Sequence, residues 1–178
     1  MSDLGHLLLT NLTEAMRQVQ QYIVLALGTS VSAAALTFAP SSPNEKPGSI
    51  ILPGTFVAID YRIALVFLLA ISGLAGAMAY FSAETANGTA HLISSRTGTA
   101  APDLLLAAST FPGIATSPHA AVRYIAVLLP LVFSLIALLR TALKERPVAW
   151  DAVRGWLIFL AVCYLPLAIE LRHPVGAS

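Results

Sequence analysis

Four long apolar stretches, separated by polar segments, dominate the pattern along the chain. The stretch from Ile63 to Phe81 carries no charge over 19 residues. At about 1.5 Å per residue it is long enough to cross a hydrocarbon layer of about 30 Å. We therefore predict an all-α membrane protein, a four-transmembrane-helix bundle in which residues 1–178 form one domain. The predicted spans are 22–39, 63–81, 124–139 and 155–169.

Small side chains recur at helical spacing in the first two spans. In lipid, small residues let two backbones approach closely, and dispersion contacts then drive helix association. The matching stripes predict that the first and second spans touch along them. The predicted helix-packing interface consists of Gly28, Ser32, Ala35, Ser72, Gly73, Gly76, Ala77 and Ala79.

The loop between these spans predicts a short hairpin. Ile50–Leu52 and Thr55–Ile59 are rich in β-branched residues, and Pro53-Gly54 lies between them as a turn. Asp60 then stands where a carboxylate can cap the second helix.

The remaining segments predict three further features. Residues 2–21 have the pattern of an amphipathic helix that leads into the first span. The apolar patch 103–108 is too short to span, so we expect it to lie at the membrane interface. Pro130 and Pro166 fall inside the third and fourth spans, where each removes a backbone hydrogen bond and should bend its helix.

Composition and charge narrow the class of partner. The chain is 57% hydrophobic and 11% charged, with a net charge of +1 and no basic stripe, which argues against nucleic acid and leaves the lipid bilayer as the expected contact. The positive-inside bias, with Trp150 and Trp156 as aromatic anchors near the end of the loop 140–154, places that loop in the cytoplasm and both termini outside. We expect an integral protein of a bacterial inner (plasma) membrane. The cytoplasmic basic loop comprises Arg140, Lys144, Arg146 and Arg154.

Residues that could carry chemistry are few. The histidines lack the spacing of a zinc or haem site, so we expect no metal, no cofactor and no catalytic residue. Mid-span hydroxyls normally bond to a backbone carbonyl or a neighbouring helix. The histidines are His6, His91, His119 and His173, and the mid-span hydroxyls are Thr29, Ser30, Ser134 and Tyr164. A polar layer at one membrane surface is predicted from Glu84, Arg123, Glu170 and Arg172.

Three functional hypotheses fit these features. The first is a non-enzymatic membrane subunit that acts by assembly, either as a homo-oligomer, which could form a pore or channel, or as an accessory subunit of a larger membrane complex. The second is a small dimeric transporter with its site near Pro130 and Pro166. The third is a membrane enzyme that uses the loop histidines. The small-residue stripes favour the first.

Overall fold

Five helices and one two-stranded sheet make up the fold. The computed structural model describes residues 3–38, 49–51, 58–108, 120–144 and 149–170. The elements are α1 (Asp3–Phe38), β1 (Ser49–Ile51), β2 (Ala58–Asp60), α2 (Tyr61–Thr97), α3 (Ala101–Ala108), α4 (Ala120–Lys144) and α5 (Ala149–Glu170).

The four long helices form a ring, and they alternate in direction in the order in which they follow along the chain. In this ring α1 packs on α2 and α4, and α5 packs on the same two helices. The pair α2 and α5 is parallel, because Gly73 faces Phe159 and Gly76 faces Tyr164. Hydrophobic side chains from all four helices meet in one core cluster. The ring therefore has up-down-up-down topology.

Each ring helix is long and apolar enough to cross a membrane. The charge-free stretches 18–38 of α1 and 63–83 of α2 are 21 residues each, about 31 Å. That length matches a hydrocarbon layer of about 30 Å. The chain is a four-span helical membrane protein. The predicted spans lie within α1, α2, α4 and α5, apart from residue 39, which is outside the described residues.

Two of the helices extend well beyond the ring. The helices α1 and α2 have 36 and 37 residues, about 55 Å, so their far ends continue together as a stalk formed by 3–14, 84–97 and α3. The stalk has its own core, in which Leu12 packs with Leu105 of α3. The predicted lead-in helix is therefore continuous with the first span. The apolar patch 103–108 belongs to α3, whose buried side chains pack in this core, and its location at the membrane interface stays a prediction.

The predicted hairpin in the first loop is confirmed. The strands β1 and β2 are antiparallel, with Ile50 opposite Ile59. The predicted turn at Pro53-Gly54 lies outside the described residues. Asp60 caps α2 as predicted, since its Oδ1 accepts the backbone N–H of Arg62 at 2.8 Å.

The predicted contact between α1 and α2 exists, but it does not use the predicted face of α1. Gly28, Ser32 and Ala35 are exposed, and a Cβ built on Gly28 would meet nothing within 4 Å. The buried face instead carries Ala26 and Ala33. Each of these lies two residues before a predicted position, and two residues rotate an α-helix by about 200°. The first-span stripe therefore points away from α2.

Candidate functional site

Each ring helix has one interior side chain with a hydroxyl group that is at most 3% exposed. Ser30 of α1, Ser72 of α2 and Ser134 of α4 are 0% exposed, and Tyr164 of α5 is 3% exposed. We call these four side chains the hydroxyl layer. No charged side chain is buried among the residues that the structure describes.

The hydroxyl layer lies deep in the ring. Ser30 is eight residues before the end of α1, Ser72 is eleven after the start of α2, and Ser134 is ten before the end of α4. These separations correspond to about 12, 17 and 15 Å along the helices. The alternating topology places those helix ends at one side of the ring, so the three serines lie at similar depths near the middle of the spans.

Tyr164 and Ser72 form the centre of the layer. The Tyr164 hydroxyl donates to the Ser72 backbone carbonyl at 2.9 Å, and the two hydroxyl oxygens are 2.8 Å apart. The single proton of the Ser72 hydroxyl can therefore go to the Tyr164 oxygen or to the Ala26 carbonyl of α1 at 3.3 Å. These hydrogen bonds link α1, α2 and α5 at one point.

Two glycines of α2 make room for aromatic rings of α5. A Cβ built on Gly76 would lie 2.8 Å from Cε1 of Tyr164, and one on Gly73 would collide with the ring of Phe159. Both rings therefore rest on nearly bare backbone. The sequence singled out these glycines as packing residues for α1, whereas the structure places them against α5. Ala79 is buried in the core cluster, and Ala77 is half-buried and packs against that cluster.

The other two members of the layer are less connected. Ser30 donates to the carbonyl of Leu27 on its own helix at 2.9 Å. The Ser134 hydroxyl is buried and has no hydrogen-bond partner in the described part of the chain. Pro130 lies one turn earlier, inside α4, and its missing N–H leaves the Ala126 carbonyl without its usual donor. Pro166 likewise lies inside α5, and the predicted bends stay predictions.

The layer can donate and accept hydrogen bonds, but it contains no group that titrates near neutral pH. In the described ranges, no three His, Cys, Asp or Glu side chains come together as a metal site. His6 and His91 are exposed on the stalk, and His119 and His173 lie outside those ranges. Metal binding and acid–base catalysis therefore gain no support from the described geometry.

The structure describes the side chain of one residue of the predicted polar layer. Glu84 is exposed on α2, while the Arg123 and Glu170 side chains and the whole of Arg172 lie outside the described part. Arg17 and Glu14 form an ion pair within α1 at 3.0 Å, and this pair is too exposed to contribute much to stability.

The predicted basic loop has one contact that the sequence did not indicate. The Arg140 guanidinium lies 3.6 Å from the ring centroid of Phe38, a cation–π contact between the ends of α4 and α1. Arg154 is exposed, and the Lys144 side chain and Arg146 lie outside the description.

A groove of about 370 Å³ opens on the outer surface between α2 and α5. Its walls are almost entirely apolar, and Trp156 packs edge-on against Phe159 at 5.4 Å beside it. The lining residues are Ala70, Leu74, Ala152, Gly155, Trp156 and Phe159.

Comparison with protein-family models, curated proteins and solved structures gives no match.

Proposed function

We propose that this chain is a non-catalytic membrane subunit that acts by assembly through the outer face of α1. One observation carries the proposal. The small residues Gly28, Ser32 and Ala35 face outward, and the position of a Gly28 Cβ is open. In lipid a helix gains most from a neighbour where small side chains allow close approach. A second helix could therefore reach the backbone of α1 along this face.

The interior of the ring also favours assembly over conduction by a single chain. Its largest fully buried side chains include Leu69, Leu160 and Leu167. An ion-coupled carrier usually has a buried charge or a broken helix near the midplane. The described interior offers aliphatic side chains and the hydroxyl layer instead. A route between subunits, or no route at all, agrees better with this core.

The outer hydroxyls of α1 are compatible with either form of assembly. The Ser32 hydroxyl donates to the Gly28 carbonyl at 2.8 Å, and the Thr29 hydroxyl donates to the Leu25 carbonyl at 2.8 Å. Since their protons are used within α1, they can face lipid, a partner helix or a wide pore at little cost. A homo-oligomer and an accessory subunit thus remain two forms of one proposal.

The test compares Gly28→Leu with a matched substitution on another lipid-facing surface. Leucine at position 28 fills the open face without touching the chain's own core. Ala161→Leu, on the exposed side of α5, is the control. We expect the wild type and the control to purify in mild detergent as a complex larger than one 18.7 kDa chain. Gly28→Leu should shift the protein to the single chain.

Mass measurement of the purified complex separates the two forms of the proposal. Multiples of the chain mass indicate a homo-oligomer, and a second polypeptide indicates an accessory subunit. If the wild type purifies alone as a single chain, or if Gly28→Leu assembles as well as the control, the proposal is wrong.

A small dimeric carrier is the second candidate, and one observation favours it. Ser134 has a buried hydroxyl without a described partner, one turn after Pro130. A solute that forms hydrogen bonds could use that hydroxyl. Flux into liposomes that is lost in Ser134→Ala would support the carrier, and flux unchanged in that variant would exclude this site.

A further inference from the structure

The outer face of α1 keeps a constant angle to the buried face along the helix. Buried residues recur every seven positions, which is the spacing of a helix that supercoils with a neighbour. Two residues after each of them, on the opposite side of the helix, lies an outward-facing residue. The buried residues are Leu12, Val19, Ala26 and Ala33, and the outward-facing residues are Glu14, Gln21, Gly28 and Ala35. Leu7, which is 59% exposed, continues the outward series by one interval into the stalk. We call these five outward-facing residues the outer line.

The outer line differs from the lipid-facing surfaces of the neighbouring helices. Those surfaces carry large apolar side chains, such as Leu139 of α4 and Val162 of α5. In the outer line the membrane part consists of Gln21, Gly28 and Ala35, all of them exposed. Gln21 is three residues into the charge-free stretch of α1, at the edge of the hydrocarbon layer. A partner helix satisfies an amide there better than an acyl chain does, and it can approach closely at the two small residues.

The polar side chains on this face are matched by identical side chains. A carboxamide both donates and accepts hydrogen bonds, so Gln21 would find a complete partner in its own copy. Asn11, also exposed, lies four residues after Leu7 and three before Glu14, which is the alternating spacing of coiled-coil core positions. With Leu7 at position d of a heptad, Asn11 falls at position a. A single asparagine at that position specifies register and oligomeric state in coiled coils.

The charge on the outer line does not oppose such a contact. Glu14 would lie near its own copy, but Arg17 of the same chain binds its carboxylate at 3.0 Å. The nearby guanidinium also holds the pKa of Glu14 below its usual value, because it favours the charged carboxylate. Each copy therefore brings a paired charge to the contact.

We propose that the partner at the outer face of α1 is a second copy of this chain, and that two α1 helices pair in parallel along the outer line. This inference rests on the proposed function and specifies its homo-oligomeric form. A two-fold axis normal to the membrane places each residue of the outer line beside its own copy. The contact runs from Leu7 to Ala35, which is 28 residues or about 42 Å. It joins the two stalks as well as the two rings.

Disulfide cross-linking of the full chain in mild detergent tests this arrangement. Cys163, the natural cysteine, is first replaced by alanine, so that each variant carries one introduced cysteine. A disulfide needs two Cα atoms within about 7 Å, a separation that the two-fold contact provides along the outer line. We expect oxidation to shift Leu7→Cys and Ala35→Cys from one chain mass to two. His6→Cys, turned about 100° around α1 from Leu7, and Ala161→Cys, on the exposed side of α5, should stay at one chain mass.

The two ends of the outer line separate this arrangement from others. Cross-linking at Ala35→Cys without cross-linking at Leu7→Cys would show a local crossing and overturn the inference. A complex that contains a second polypeptide, with neither position cross-linked, would overturn it and leave the accessory-subunit form of the proposed function in place. Controls that cross-link as fully as the outer-line variants would show random collision and count against it as well. If the wild type purifies as a single chain, the inference and the proposed function are both wrong.

Discussion

Replacing Gly76 by alanine should destabilise the ring, although alanine is the better helix former. The new Cβ would lie 2.8, 3.0 and 3.1 Å from three carbons of the Tyr164 ring, against about 3.5–4.0 Å for a favourable contact. The ring cannot retreat freely, because its hydroxyl is held by Ser72 at 2.8 and 2.9 Å. Overpacking costs about 1–3 kcal/mol, and the gain from replacing glycine is about 0.5–1 kcal/mol. The expected net loss is about 1 kcal/mol of unfolding free energy.

The measurement is unfolding of the detergent-solubilised protein, with Gly88→Ala on the same helix as the matched control. Because the position of a Gly88 Cβ is open, that variant should gain about 0.5–1 kcal/mol. In a Tyr164→Phe background the ring loses both hydrogen bonds to Ser72 and can shift, so the cost of Gly76→Ala should fall. Because interhelical hydrogen bonds in membranes contribute about 0.6 kcal/mol on average, we expect the cost of Gly76→Ala to fall by an amount of that order. Equal stabilisation by Gly76→Ala and Gly88→Ala would refute the reasoning.

Two further variants test contacts at the ends of helices. Phe38→Leu should lower stability by about 0.5–1 kcal/mol through loss of the contact with Arg140, and adding Arg140→Gln should cost little more if that contact is the cause. Gly98 caps α2 at φ 72°, with its N–H bonded to the Ser94 carbonyl at 2.9 Å. Gly98→Ala should therefore cost about 1–2 kcal/mol and speed hydrogen exchange in α3, and exchange unchanged from the wild type would contradict this.

The membrane fold could be predicted from the sequence, because a long stretch without charges has few stable arrangements other than a membrane-spanning helix. The hairpin between the first two spans followed from its β-branched runs, and the cap followed from Asp60. The stalk was harder to predict. Its core depends on α3, whose eight residues gave no sign of the two helices that cover them.

The orientation of α1 could not be read from its pattern, because that helix carries small residues on two opposite faces. Gly28, Ser32 and Ala35 form one stripe, and Ala26 and Ala33 lie on the other. Glycine content favoured the wrong stripe for the contact with α2. A choice between the faces needs the position of the neighbouring helices.

The sequence predicted residues of the candidate site but not the hydrogen bonds between them. Ser30, Ser134 and Tyr164 were expected as mid-span hydroxyls, and Ser72 and Gly76 were expected only as packing residues. The hydrogen bonds between Tyr164 and Ser72 cross 92 positions of sequence. The sequence indicates these hydrogen bonds only indirectly. A glycine near a serine in the middle of a span can mark the place where a large aromatic ring from another helix packs.

The uninterrupted length of α1 and α2 has a mechanical consequence. Both helices pass from the stalk into the ring without a break or a hinge among their described residues. A sideways force on the stalk core around Leu12 would therefore turn the two helices as a stiff lever. The resulting displacement would act near Ser72, where hydrogen bonds connect α1, α2 and α5.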